Sequence, residues 1–207
     1  MTDMSQSMVY VIDDDAPIRR ALARLLRTVG LAVEGFELPR EFLAFARPDV
    51  PSCLVLDVRL PGSSGLEFQR ELQAARIDIP IIFITGHGDI PMAVEAMQHG
   101  AFDFLQKPFR DQDLLDAIQL AITKDEERRR GERDIQELRQ RLSLLTARER
   151  QVMAILITGQ LNKQIGAAIG TTESTVKAHR TQIMRKMQAN SLPELVRMAD
   201  KVQLELT

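Results

Sequence analysis

Four short apolar runs in the first half of the chain end at or lead toward residues that can do chemistry. Met8–Ile12 runs into Asp13 and Asp14, Leu54–Leu56 into Asp57, Ile81–Ile84 into Thr85, and Ala101–Leu105 leads toward Lys107. Carboxylates gathered in one place repel each other unless a cation sits among them. A hard dication such as Mg²⁺ (or Mn²⁺) takes oxygen ligands and keeps waters that substrate oxygens can replace. A carboxylate such as Asp57 can attack phosphorus and carry the phosphoryl group as an acyl phosphate. The metal and the Lys107 ammonium would spread the charge developing on the phosphoryl oxygens. The Thr85 hydroxyl can donate to one of those oxygens, and Gly86, lacking a side chain, leaves room for the group.

Taken singly, each residue has a plainer role. An aspartate at a strand end often caps a helix, a threonine there is an ordinary strand or turn residue, and a lysine is usually solvated. Meaning comes from the set, its order and its placement at run ends.

To meet at one place, these residues need a scaffold. Runs apolar on both faces fit central strands of a parallel sheet. Between them lie helix-like patterns at 18–29, 40–46, 66–75, 90–98 and 113–122. In the first, Leu22, Leu25, Leu26 and Val29 fall on one helical face, and Gly30 stops the helix. Strand and helix thus alternate about five times over roughly 120 residues, which predicts an α/β domain with a doubly wound five-stranded parallel sheet. Such sheets place their sites at the carboxyl ends of the strands, where strand order reverses.

The two halves differ in charge. Residues 1–123 carry 11 Lys/Arg against 18 Asp/Glu, a net of −7, whereas residues 124–207 carry 16 against 11, a net of +5. An acidic half followed by a basic half suggests two domains, the second able to approach a polyanion. No Trp and a single Tyr argue against stacking on single-stranded nucleic acid. The one cysteine, Cys53, lies in an apolar run and reads as core. No apolar stretch is long enough to span a membrane, residues 1–7 do not resemble a signal peptide, and the chain is expected in the cytoplasm. His87, His99 and His179 are far apart and lack Cys partners, which argues against zinc.

Residues 124–143 are dense in both charge signs and read as a solvated helical linker, either separate from the helix before it or continuous with it. Ile135, Leu138, Leu142 and Leu145 follow 3-4-3 spacing, which suits either a coiled coil or packing onto the next domain. Beyond them the chain reads as four short helices, at 147–158, 162–169, 172–187 and 192–202, with Thr146 and Glu149 as a capping box. The second and third form helix, turn, helix around Gly170-Thr171, with Ile165, Ile169, Val176, Ile183 and Met187 as the inward stripe. Lys177, Ala178 and Thr181 share an outward face that can enter a major groove. Thr172, Thr175, His179, Arg180 and Arg185 are candidate phosphate contacts, with Lys163 reaching over from the preceding helix.

Two resemblances sharpen these readings. Asp13-Asp14, Leu56–Gly62, Thr85–Asp89 and Lys107-Pro108-Phe109 resemble the motifs of the response-regulator receiver domain, and Ile84–Met97 resembles its FixJ subfamily. The likeness covers residues 7–123. It implies Asp57 as phosphoacceptor, Mg²⁺ on Asp14, Asp57 and the Arg59 backbone carbonyl with Asp13 acting through water, Thr85 and Lys107 as the phosphoryl-binding pair, and Phe104 as the switch aromatic. It also implies a cis Lys107-Pro108 bond. Phe104 has a plainer reading as a core aromatic. Leu145–Glu149, Asn162–Ile165 and Glu173–Arg180 resemble the LuxR-type domain over residues 144–203. This likeness implies base contacts at Lys177, Ala178 and Thr181. Thr181 departs from members with a basic residue there, so no base preference carries over. It also makes 192–202 a dimerisation element, although Leu195 and Met198 would serve equally as core.

Together these imply a two-component response regulator of the FixJ/NarL type, with a receiver at 1–123, a charged helical linker at 124–143 and a LuxR-type helix-turn-helix domain at 144–207. A sensor histidine kinase would phosphorylate Asp57. The phospho-form would become a homodimer, bind double-stranded promoter DNA and contact RNA polymerase. Enzymatic activity would extend no further than self-phosphorylation from a phosphodonor and slow autodephosphorylation. The alternative is a DNA-binding regulator whose receiver is an unphosphorylated docking module. A haloacid-dehalogenase-type phosphohydrolase would need a second aspartate two residues beyond its nucleophile, and that position is Arg59.

Overall fold

The structure, a computed structural model, describes residues 7–86 and 90–202. The chain divides into two units, Met1–Arg129 and Arg130–Thr207. In the first, β1 (Met8–Ile12), β2 (Ala32–Phe36), β3 (Ser52–Asp57), β6 (Ile81–Thr85) and β7 (Asp103–Gln106) form one parallel sheet in the order β2-β1-β3-β6-β7. The order reverses at β1, which pairs with β2 on one side and β3 on the other, the crevice where doubly wound sheets bind ligands. A two-residue antiparallel ribbon, β4 (Arg59–Leu60) with β5 (Ser63–Ser64), follows β3 directly.

Alternation along the strands divides the core. Val9, Val11, Cys53, Val55, Ile82 and Ile84 pack on one face with Leu22 and Leu26 of α1 (Ala16–Thr28) and Leu114, Ile118 and Ile122 of α5 (Asp111–Ser143). Tyr10, Ile12, Leu54, Leu56 and Phe83 pack on the other with Phe42 of α2 (Pro39–Ala44), Phe68 and Leu72 of α3 (Gly65–Ala74) and Ala96 of α4 (Ile90–Gln98). Both faces are covered, so β1, β3 and β6 are apolar except at the ends of β3 and β6, where Ser52, Asp57 and Thr85 sit. Edge strand β2 buries only Val33 and Phe36, which is why no continuous apolar run announces it.

Helix α5 runs unbroken from Asp111 to Ser143. The expected solvated linker is therefore a continuation of the preceding helix, and its start is not solvated, because Asp125 is 1% exposed. Leu142 packs against the core of the second unit and Leu145 is part of it.

That core gathers Val152, Met153 and Leu156 from α6 (Ala147–Leu156), Ile165 from α7 (Asn162–Ile169), Val176, Ile183 and Met187 from α8 (Glu173–Met187), and Leu195 and Ala199 from α9 (Leu192–Lys201). Thr146 and Glu149 cap α6 reciprocally: the Thr146 amide donates to Glu149 Oε2 at 2.7 Å and the Glu149 amide to Thr146 Oγ1 at 3.2 Å. Helix α7 ends at Gly170, whose φ of +68° suits glycine. A Cβ on Gly166 would stand 2.8 Å from the Thr171 carbonyl oxygen, so the sharp turn requires glycine there too. No helix among the described residues is long and apolar enough to cross a membrane.

Candidate functional site

The carboxyl ends of β1, β3 and β7 bring the predicted cluster together. Asp13 is fully buried, Asp57 is 8% exposed, and Asp14 faces solvent. Each offers one carboxylate oxygen to a set lying within 4.8 Å of one another. Lys107 Nζ donates to Asp13 Oδ2 at 2.8 Å and to Asp57 Oδ2 at 2.7 Å.

Local backbone bonds hold these side chains. The Asp15 amide donates to Asp13 Oδ1 at 2.8 Å, and the Arg19 guanidinium of α1 donates to the Asp13 carbonyl. The Arg59 amide donates to Asp57 Oδ1 at 2.9 Å. The Lys107 amide donates to the Thr85 carbonyl at 2.6 Å, tying the ends of β6 and β7. The Lys107-Pro108 peptide is cis.

The electrostatics leave the cluster short of positive charge. Burial pushes the Asp13 carboxyl above its ordinary range, and the hydrogen bonds from Lys107 and the Asp15 amide pull it back only in part. Burial alone would depress the Lys107 ammonium, but the two carboxylates it serves hold it above the ordinary lysine value. Lys107 thus supplies one positive charge to Asp13 and Asp57 together, and Asp14 adds a third carboxylate. Thr85 Oγ1 is buried and has no hydrogen-bond partner among the described residues, a costly state for a hydroxyl without a ligand to serve. An all-oxygen acidic set beside an unsatisfied donor fits a hard dication together with an anionic oxygen.

Phe104 is half-buried and packs against the aromatic side of the core alongside Met92. His87, Gly88 and Asp89 lie outside the described residues.

On the second unit, Lys177, Ala178 and Thr181 are exposed on one face of α8, with Lys163 exposed on α7. Lys177, Arg180 and Thr181 line a common hollow with Asn162 and Asn190. Two predicted contacts have local duties as well. Thr172 caps α8, its Oγ1 accepting from the Thr175 amide at 3.2 Å, and Thr181 Oγ1 donates back to the Lys177 carbonyl at 3.1 Å. His179 and Arg180 are half-buried, and Thr172, Thr175 and Arg185 are exposed.

Comparison with known proteins decides the family. Residues 9–119 match the response regulator receiver domain, and residues 143–199 match the luxR family of bacterial regulatory proteins. This chain is a two-component response regulator. Nodulation protein W of Bradyrhizobium diazoefficiens is 52% identical over 196 residues, covering 95% of this chain and 86% of that protein. The transcriptional regulatory protein FixJ of Rhizobium meliloti is 45% identical over 197 residues, covering 95% and 96%. Among solved structures, response regulator StyR superposes with a TM-score of 0.86 at 47% identity, covering 95% of this chain and 99% of that one. The response regulator thus joins a receiver to a LuxR-type DNA-binding domain, in a family of transcriptional regulators rather than conventional enzymes.

The sequence left some positioning residues of this response regulator unmarked. A Cβ on Gly65, the first residue of α3, would stand 2.5 Å from the Asp57 carbonyl oxygen and 3.1 Å from Val58 Cα. Only glycine lets α3 start so close to the end of β3. From α3, Gln69 Nε2 donates to the Ala96 and His99 carbonyls at 3.3 and 3.0 Å, and Gln73 Nε2 to the His99 carbonyl at 2.5 Å, holding the end of α4. In the DNA-binding half, Lys186 of α8 donates to Glu149 Oε2 of α6 at 2.6 Å. Burial would raise the Glu149 carboxyl, but Lys186 and the Thr146 amide outweigh it and hold it below its ordinary range. Arg148 Nη2 donates to the Ile169 carbonyl at 2.6 Å, covering the end of α7. A charged residue fixed by a partner tens of positions away leaves no local pattern to read.

Proposed function

We propose that Asp57 accepts a phosphoryl group from a sensor histidine kinase and that the resulting anion promotes dimerisation and promoter binding. The observation that carries the reading is the Lys107 ammonium bonded to both Asp13 and Asp57, beside the unsatisfied Thr85 hydroxyl. The Asp57 carboxylate attacks phosphorus, a P–O bond forms, and the P–N bond to the donor imidazole breaks with its electron pair leaving on nitrogen. Lys107 turns an N–H toward one phosphoryl oxygen, and Thr85 donates to another. Mg²⁺ (or Mn²⁺) on Asp13, Asp14, Asp57 and the Arg59 carbonyl would supply the further neutralisation that three carboxylates and a phosphoryl group require. Drawn toward the anion, Thr85 opens space for Phe104 to turn, and the face bearing α4 and β7 changes shape.

In this reading the receiver spans 1–123, the linker 124–143 and the DNA-binding domain 144–207. The protein works in the cytoplasm, and the DNA-bound dimer contacts RNA polymerase. Lys177, Ala178 and Thr181 read bases, while Lys163, Thr172, Thr175, His179, Arg180 and Arg185 hold phosphates.

The test is oligomer mass and DNA binding with and without acetyl phosphate and Mg²⁺. The donor is expected to convert monomer to dimer and to tighten DNA binding. A wild-type protein that takes up no phosphate would leave only the docking-module reading. Lys177→Ala is expected to weaken specific DNA binding by roughly 1–3 kcal/mol, as loss of a base contact does. Fluorescence anisotropy on a labelled operator duplex measures this, and unchanged affinity removes Lys177 from the reading face.

A further inference from the structure

The amino-terminal end of the sheet, opposite the phosphorylation pocket, carries a second buried charge cluster that the proposed function does not use. Residues 124–130 read Lys-Asp-Glu-Glu-Arg-Arg-Arg, a stretch expected to lie in water. Yet the Asp125 side chain is 0% exposed. Its Oδ2 accepts from the Ser52 backbone amide at 2.9 Å and from Arg129 Nε at 2.6 Å, and its Oδ1 accepts from Arg128 Nη2 at 2.5 Å. Arg129 also bonds Asp49, just before β3, and Arg128 lies 3.7 Å from Asp78, just before β6. Ser52 is the first residue of β3, and Asp57 is its last.

We propose that Asp125, Arg128 and Arg129 form a positioning clasp that fastens α5 to the start of the phosphoacceptor strand and is required for the state of Asp57 to alter DNA binding. Ala121 and Ile122, one turn earlier, already hold the helix by apolar contact, so adhesion alone does not call for buried charge. A buried carboxylate must have its donors in place, and the Ser52–Asp125 bond together with the Arg129–Asp49 and Arg128–Asp78 pairs fixes the helix in one register where greasy contact would let it slide. The clasp is also the last anchored point of the first unit, which ends at Arg129. Residues 130–134 are all exposed. Along α5, a shift of β3 passes through this joint before it reaches the helix beyond.

The inference rests on phosphorylation of Asp57 gating DNA binding, and the test separates the two. Full-length wild type, Asp125→Asn and Arg129→Gln are treated with acetyl phosphate and Mg²⁺. Phosphate uptake, oligomer mass and affinity for a duplex selected from a random-sequence pool by the treated wild type are then measured. Asp125→Asn keeps an acceptor for the Ser52 amide but loses the charge that both arginines serve. It is expected to take up phosphate and dimerise like wild type while losing about tenfold of the phosphate-dependent gain in DNA affinity, within the usual range of coupling between sites. Arg129→Gln leaves Arg128 on the buried carboxylate, so the fold is retained, and is expected to lose part of the same gain. Damage to folding alone would lower uptake and dimer mass together with DNA binding. If both variants keep the wild-type gain, or if uptake and dimerisation fall in step with it, the clasp is not the coupling element. A wild type that shows no gain overturns the phosphorylation reading itself, and the clasp with it.

Discussion

Asp57→Asn is expected to incorporate no phosphate from acetyl phosphate or a kinase, and to show the same mass and DNA affinity with and without the donor. The amide oxygen is not a nucleophile toward phosphorus, whereas the carboxylate is. Little else should change. The side chain keeps its size, its carbonyl can still accept from the Arg59 amide, and Lys107 keeps Asp13 at 2.8 Å. Removing one of three crowded carboxylates also relieves repulsion, so the variant should unfold at no lower urea concentration than wild type. That pairing of lost signalling with intact stability is the diagnostic result. Phosphate retained by a folded Asp57→Asn protein would place the acceptor elsewhere.

Lys107→Ala should damage both chemistry and resting fold. Loss of a cation positioned for the developing charge typically slows such a transfer by roughly 10²-fold. Without metal, Asp13 and Asp57 would lie buried with no cation between them, and breaking a buried pair from one side costs up to roughly 5 kcal/mol. Here the loss falls below that ceiling, because Asp13, already pushed toward its protonated form by burial, can take up a proton. Millimolar Mg²⁺ should restore much of the lost stability by binding the folded state alone. Urea titrations in chelator and in Mg²⁺, beside phosphorylation time courses, read both effects. Phosphorylation at the wild-type rate would show that the ammonium plays no part in the transfer.

What the sequence disclosed followed burial. Strands β1, β3 and β6 are covered on both faces, so their composition is uniformly apolar and their ends stand out, and with them Asp13, Asp14, Asp57 and Thr85. Strand β2 shows one face to solvent, and the β4–β5 ribbon is two residues long, so neither leaves a periodic signal. Asp125 was hidden by its neighbours. Seven consecutive charged residues look like a wet helix face, and the one clue, arginines three and four positions on, is equally the mark of exposed helical pairs. Thr172 and Thr181 were legible as polar groups on or near the exposed face of α8, but their bonds to their own helix depend on geometry that residue type does not carry.

The close fit at Gly65 reaches beyond one intolerant position. The Gly65 amide also donates to the Val58 carbonyl at 2.9 Å, so a displacement of the Asp57–Val58 backbone in either direction would carry the first turn of α3 with it. Because Gln69 and Gln73 of that helix grip the carbonyls at the end of α4, the end of β3 at Asp57 is linked to α4 through the back of α3 as well as through the neighbouring strand β6. The α3 link runs through hydrogen bonds at both of its ends, so it conveys a push and a pull alike.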